Sequence, residues 1–260
     1  MKASDLRPAR DFAVRYGVKA VIYGPPGCGK CLAPGTPILM FDGSIKSVES
    51  VKIGDLLMGP DSLPRRVTHL AHGYDEMFNV IPTKGMTYKV NKPHIISLKK
   101  TNGNDTWISN ISIENYLKTS KDFKFHFKGW RTGIQFPNKN IEIHPYLLGI
   151  WLGDGSSDEL AFHTTDKEIV SFLQDQSLMN SLLLREYKYE KKCPRYRFSA
   201  GIKGKKNLLK EKFKKYNLFN NKHIPFDYKV NSQYVRLQLL AGLIDSDGIV
   251  TGKQIGRAHV

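Results

Sequence analysis

Two rhythms of apolar and polar residues divide this chain. Over residues 31–143 the apolar positions come in short clusters broken by turn residues, whereas over residues 144–254 longer apolar stretches alternate with strand-like pairs. In the first stretch Ile38, Leu39, Met40 and Phe41 run into Asp42-Gly43 and then Ser44, Ile45 and Lys46. That order predicts a hairpin, because Asp-Gly readily takes the positive φ angles of a tight turn. Strands are predicted again over residues 55–58, 66–70, 77–80, 88–90 and 95–98, with a short helix over 113–117. Short strands at regular intervals imply an all-β domain.

The second stretch predicts helices and paired strands. Residues 145–153 are apolar and run into Gly153-Asp154-Gly155, which suits a helix closing on glycine. A strand is expected over 160–163, then a helix capped by Asp166 and running to about residue 184. Residues 186–189 and 195–198 alternate aromatic with charged side chains, as half-buried strands do. A basic amphipathic helix is predicted over 206–216, and a second apolar helix from Ser232 toward Asp247. The helix ends LLGIWLGDG at 147–155 and LAGLIDSDG at 240–248 read as an internal repeat of which the first copy alone is complete. The expected fold is an α+β multidomain chain, an all-β domain followed by an α/β domain whose second half is cut off.

A length of 260 residues leaves room for one or two domains with proper cores. With 40 Lys and Arg against 24 Asp and Glu, a net charge of +16 and a pI near 9.6, the simplest partner is a polyanion, nucleic acid first. Cys28, Cys31 and Cys193 are too few and too scattered for a disulfide framework, and no pair has metal-site spacing. A reducing, cytoplasmic setting is expected. The first residues lack the apolar core of a signal peptide, and no stretch approaches a membrane span in apolar length, so no membrane partner is expected.

Ahead of residue 31, the apolar residues Ala20, Val21, Ile22 and Tyr23 predict a strand that feeds a glycine-rich loop. Gly24, Gly29 and Lys30 fit the phosphate-loop pattern G-x-x-x-x-G-K, which continues with a Ser or Thr hydroxyl on Mg²⁺. Here Cys31 follows, and a thiol is a poor ligand for so hard an ion. The nucleotide site is interrupted at the position where its metal belongs.

From Cys31 the run Cys-Leu-Ala-Pro-Gly-Thr-Pro-Ile resembles the first splicing block of inteins, inserts that excise themselves and join their flanks. Asn91-Lys92-Pro93-His94, followed by Ile95-Ile96-Ser97-Leu98, is similar to the second block, with Asn91 where that family carries the Thr of T-x-x-H. Over residues 31 to about 100 the chain therefore resembles the Hint splicing domain, an expectation compatible with the strand pattern. The resemblance implies that Cys31 attacks the carbonyl carbon of Lys30 to form a thioester, that His94 polarises the bond, and that Asn91 donates a hydrogen bond there. Breaking a trans amide needs a nucleophile, a proton for the leaving nitrogen and weakened resonance.

LAGLIDSDG at 240–248 resembles the motif of the LAGLIDADG homing endonucleases, of the DOD type, departing only at Ser246. The first copy is looser, with Leu152 opposite Asp245. Small residues at Gly149, Gly153, Ala241 and Gly242 would let two helices approach closely and bring Asp154 and Asp247 to one centre. The resemblance implies that these two acids hold Mg²⁺ and cut double-stranded DNA, and that Lys222 in Lys-His-Ile-Pro stabilises charge on the phosphate. Arg185, Lys188, Lys191, Lys192, Arg195 and Arg197 alternate with Tyr187, Tyr189, Tyr196 and Phe198, so one strand face is expected to bury aromatics and the other to meet DNA.

The layout implied is a host fragment over residues 1–30, the N-terminal part of a Hint domain over 31–143, an incomplete endonuclease domain over 144–254 and a non-native tail over 255–260. Ile255-Gly256-Arg257-Ala258-His259-Val260 resembles translated sequencing-adapter DNA. No terminal Asn precedes a host nucleophile, so the chain reads as a C-terminally truncated, monomeric fragment inactive in splicing, with ATP a ligand of the restored host alone. Two other functions fit parts of the pattern. A P-loop ATPase that retains nucleotide binding is opposed by the lost hydroxyl after Lys30, and a non-catalytic basic DNA-binding module by the acids at matched helix ends.

Overall fold

The computed structural model describes residues 6–8, 18–21, 31–82, 85–101, 107–190, 192–202, 204–247, 250–251 and 254–255. The chain forms two compact units, Met1–Ile134 and Gln135–Val260. The change of rhythm at residue 144 falls inside the second. Residues 135–143 carry no helix or strand, and their hydrogen bonds run to the second unit: Asn231 Oδ1 accepts from the Lys139 amide at 3.1 Å, and the Tyr228 hydroxyl donates to the Ile143 carbonyl at 2.7 Å.

In the first unit, strands β1 (Leu6–Pro8), β2 (Val18–Val21), β3 (Pro37–Leu39), β4 (Ile45–Ser47), β5 (Leu56–Met58), β6 (Pro64–Arg66), β7 (Leu70–Gly73), β8 (Met77–Val80) and β9 (Tyr88–Asn91) precede β10 (Ile95–Lys100), β11 (Ile108–Ser112) and β12 (Phe127–Gly129). They pair antiparallel in small sheets, β1-β8-β9 and β11-β10-β12 with three strands each, and β2-β7, β3-β4 and β5-β6 as pairs. Alternate positions face inward, so Phe78 and Val80 of β8, Val90 of β9 and Ile96 and Leu98 of β10 build the core. The predicted hairpin forms between β3 and β4, with Gly43 alone at positive φ while Asp42 Oδ1 accepts from the Ser44 amide at 2.9 Å. One expectation is corrected: the unit is mostly β, not all-β. Helices α1 (Ile113–Lys118) and α2 (Lys121–His126) follow β11, because Ser112 and Ser120 cap them by accepting from the Asn115 and Phe123 amides. The strand expected over 66–70 is likewise split between β6 and β7.

The second unit holds α3 (Pro145–Asp154), β13 (Ala161–His163), α4 (Lys167–Met179), β14 (Leu183–Tyr187), β15 (Arg195–Ser199), α5 (Leu208–Lys215), α6 (Phe226–Lys229), α7 (Gln233–Asp247) and the short pair β16 (Val250–Thr251) and β17 (Gln254–Ile255). Its antiparallel sheet has the order β13-β15-β14. The core joins Leu147, Leu148, Ile150 and Trp151 of α3 to Phe162, Phe198, Phe213 and Leu239. The helix expected to reach residue 184 stops at Met179, since Ser181 takes a φ of 52° and Leu183 already begins β14. Among the described residues no helix is long and apolar enough to cross a membrane.

Helices α3 and α7 touch backbone to backbone. A Cβ on Gly149 would stand 2.9 Å from Gly242 Cα and 2.9 Å from the Leu243 amide, and one on Gly242 would stand 3.0 Å from Gly149 Cα and 2.9 Å from the Ile150 amide. These contacts are reciprocal, because Gly149 and Ile150 occupy the same motif positions in the first copy as Gly242 and Leu243 in the second. The two copies are thus related by a local twofold. Gly149→Ala is expected to cost roughly 3 kcal/mol by overpacking. Thermal unfolding checks it, with Gly133→Ala as control, since a Cβ there meets nothing within 4 Å. A Gly149→Ala protein melting like the wild type would remove the close approach as a determinant of the unit.

Candidate functional site

Cys31 is held on both sides by one residue. Leu32 bridges to Val90 of β9, which lays the chain alongside that strand, and the Asn91 amide donates to the Cys31 carbonyl at 3.1 Å. The Asn91 side chain then folds back: its Oδ1 accepts from the Cys31 amide at 2.7 Å, while its Nδ2 donates to Asp75 Oδ2 at 2.9 Å. The Cys31 nitrogen belongs to the Lys30–Cys31 peptide bond. Toward that nitrogen Asn91 is an acceptor, and the side-chain hydrogen bond it donates here runs to Asp75. Asn91 is 1% exposed, so its amide needs such partners. His94 closes the turn after β9, its amide donating to the Asn91 carbonyl at 3.1 Å and its carbonyl accepting from Ile113 at 2.9 Å. Burial pushes the Cys31 thiol above its ordinary pKa, and the Asp75 charge adds to the shift.

The second constellation lies where α3 and α7 end. A Cβ on Gly153 would come 2.9 Å from Ser246 Cβ and 3.4 Å from the Asp247 carboxyl carbon, so the close approach of the helices carries through to the acids. Burial raises the Asp154 carboxyl, the neighbouring Asp247 charge raises it further, and Lys222 and His163 pull it back. The Lys222 ammonium donates to the carbonyls of Leu152, Gly153 and Gly155 at 3.1, 3.0 and 2.7 Å and lies 5.3 Å from the centre of the Trp151 ring. An ammonium has three donors, and here all three serve carbonyls at the end of α3, where helical partners run out. Burial lowers the Lys222 pKa against the pull of Asp247 and Asp154. The extra acid of the second copy, Asp245, accepts from the Tyr146 hydroxyl at 2.7 Å instead of joining the pair. Among the described residues no group of three or more His, Cys, Asp or Glu side chains is gathered to hold a metal.

The strand face differs in detail from the alternation expected. Register pairs Arg185 with Arg197 and Tyr187 with Arg195, so these four share one face, while Tyr196 and Phe198 are buried on the other. Tyr187 thus stands with the cations, with the Arg195 guanidinium 5.9 Å from its ring centre, and Tyr189 is exposed beyond the strand. Glu159 ion-pairs with Arg195 and, at 3.5 Å, with Arg197. An open cleft of about 450 Å³ runs along this face past Arg185, Tyr187, Arg197, Lys205 and Lys210. Lys188 and Lys192 are exposed in the connection between β14 and β15. Lys191 lies outside the described residues, as do Gly24, Gly29, Lys30 and the tail 256–260. Spacing in the sequence points to neither Asp75 nor Glu159, since each acquires its partners through strand pairing alone.

Residues 31–144 match the family model described as Hom_end-associated Hint, and the match supports an intein over that stretch. The chain is 24% identical over 255 residues to the replicative DNA helicase DnaB of Mycobacterium intracellulare, a match covering 89% of this chain and 40% of that protein. It is 48% identical over 50 residues to the catalytic subunit of the V-type proton ATPase of Candida tropicalis, covering 19% of this chain and 5% of that protein. The chain thus spans well under half the length of these curated relatives.

Proposed function

We propose that residues from Cys31 onward are an intein that interrupts the phosphate loop of an ATPase or helicase and carries a DNA-cutting homing endonuclease. The observation that carries the splicing half is the grip of Asn91 on both sides of Cys31. It places an acceptor on the nitrogen that must leave, next to the thiol that must attack. Support for the host comes from the interrupted Gly24, Gly29, Lys30 pattern and from the nucleotide-driven proteins named among the relatives. In the reaction Cys31 Sγ adds to the Lys30 carbonyl carbon, the C–N bond breaks, and the thiol proton ends on the Cys31 nitrogen. The product is a thioester and a free amine.

The endonuclease half rests on the reciprocal packing of α3 and α7, which brings Asp154 and Asp247 together. Two carboxylates suit Mg²⁺, an ion that completes its shell with water and substrate phosphate. When bound, the ion supplies charge neutralisation at the scissile phosphate. Lys222 fixes the end of α3 and tempers the repulsion between the acids. Arg185, Arg197, Lys188 and Lys192 meet phosphates of duplex DNA, and Tyr187 adds an aromatic surface to that face.

Two outcomes follow. A thiol reagent should release a peptide of residues 1–30 from the wild type and none from Cys31→Ala, as read by mass spectrometry; release from the variant would rule out the thioester. For the acids, the sign of the Asp154 shift matters. A carboxyl whose pKa is raised on folding disfavours the folded state once pH exceeds the unfolded value, so neutral pH carries the full cost. Asp154→Asn should therefore raise the melting temperature at neutral pH while abolishing Mg²⁺-dependent cutting of DNA that carries the uninterrupted host gene. A variant that melts lower, or still cuts, would contradict the paired-acid centre.

A further inference from the structure

We infer that Asp75 is a positioning residue for the first step at the Lys30–Cys31 bond, acting through Asn91 on the leaving nitrogen. The inference rests on the splicing function proposed above and adds to it a residue, its partner and its direction of action.

The chain of hydrogen bonds has one self-consistent sense. The Cys31 amide is a donor only, and an ionised Asp carboxylate is an acceptor only. An amide side chain between them satisfies both in a single orientation, with Oδ1 toward Cys31 at 2.7 Å and Nδ2 toward Asp75 at 2.9 Å. Asp75 thereby excludes the flipped Asn91, whose NH₂ would confront the N–H of the scissile peptide. The Asn91 main chain is anchored independently, by its own bond to the Cys31 carbonyl and by the pairing of β9 with β8. The side-chain torsion and the amide face are constrained by the bonds of the amide group, and Asp75 supplies the acceptor on its NH₂ side.

The orientation also has an energetic consequence. As Sγ adds to the Lys30 carbonyl carbon, the Cys31 nitrogen loses amide resonance, turns pyramidal and takes the proton. Its N–H becomes a stronger, cationic donor along this path, so a bond to Asn91 Oδ1 tightens as the reaction advances. The Asp75 carboxylate polarises the Asn91 amide and makes Oδ1 the better acceptor. No atom beyond those present is consumed, since Asp75 neither gives nor takes the transferred proton. The same negative charge opposes formation of a Cys31 thiolate. Asp75 thus acts in opposite senses on nucleophile and leaving group, and the leaving group governs the balance because C–N cleavage is the demanding event.

That opposition gives a test which simple damage to the fold does not mimic. In Asp75→Asn the shape is kept and the charge is lost. Alkylation of Cys31 by iodoacetamide, followed by peptide mapping, should then shift to lower pH, yet thiol-induced release of residues 1–30 should slow about tenfold, the effect of losing one charge-assisted hydrogen bond. Adding Asp75→Asn to Asn91→Ala should slow release no further, because the path through Asn91 is already gone. Release at the wild-type rate in Asp75→Asn, an alkylation profile moved to higher pH, or a further loss in the double variant would each overturn the inference. A wild-type protein that releases no peptide would instead defeat the splicing reading itself, so the two failures are distinct.

Discussion

The second unit depends on the distance between two glycines. Gly149 and Gly242 let α3 and α7 meet main chain to main chain, and the contacts repeat with the helices exchanged. Ridges of larger side chains would hold such helices 8–10 Å apart, the usual range. Once the helices are this close, their ends lie together and the acids there face each other whatever the repulsion. The sequence carries the consequence in its composition: α3 is buried at Leu147, Leu148, Ile150 and Trp151, with no polar face to speak of, because helix, sheet and α5 surround it. Lys222 then answers both problems at the helix end. It caps the carbonyls that α3 leaves over, and its charge lowers the cost of two carboxylates in partial burial.

The first unit solves a different problem with β structure. In the proposed splicing reaction a nucleophile attacks its own peptide bond and must be aligned to a fraction of an ångström, which an isolated chain end cannot supply. Here the ladder does it. The Leu32 to Val90 bridge extends the sheet to residue 31, and the last residue of β9, Asn91, closes it from both sides. Burial of Phe78, Val80 and Val90 beneath fixes β9, which carries Asn91, and β8, which Asp75 precedes by two residues. The position of the reacting nitrogen is thus a product of core packing several residues away.

Much of this was legible in the sequence because it is local. The Asp42-Gly43 hairpin, the strands at 77–80 and 88–90, the helix at 113–117 and the two apolar helices all follow from period and turn chemistry. Paired motif copies likewise foretold that Asp154 and Asp247 share a helix-end position. What stayed hidden depends on register. Whether Tyr187 buries with Tyr196 or stands with Arg195 is decided by how β14 pairs with β15, and alternation alone cannot choose between the two faces. Helix α4 ends five residues early for a similar reason, as β14 claims Leu183 for the sheet. The Asp75 link spans 16 residues and two strands, and a single acid at a strand entry has no pattern to betray it.

The two proposed chemistries make opposite demands on charge. The junction needs a nitrogen that gains positive character, so one carboxylate nearby is useful and a cation would oppose it. The DNA-cutting centre proposed at the helix ends would need its carboxylates held together and then matched to a polyanion, with cations around them that do not quench them. Glu159 ion-pairs with Arg195 and, at 3.5 Å, with Arg197, so part of the charge on this strand face is matched within the unit. Cys31, Asp75, Asn91 and His94 all belong to the first unit, and Asp154, Lys222 and Asp247 to the second. Each unit carries a core of its own.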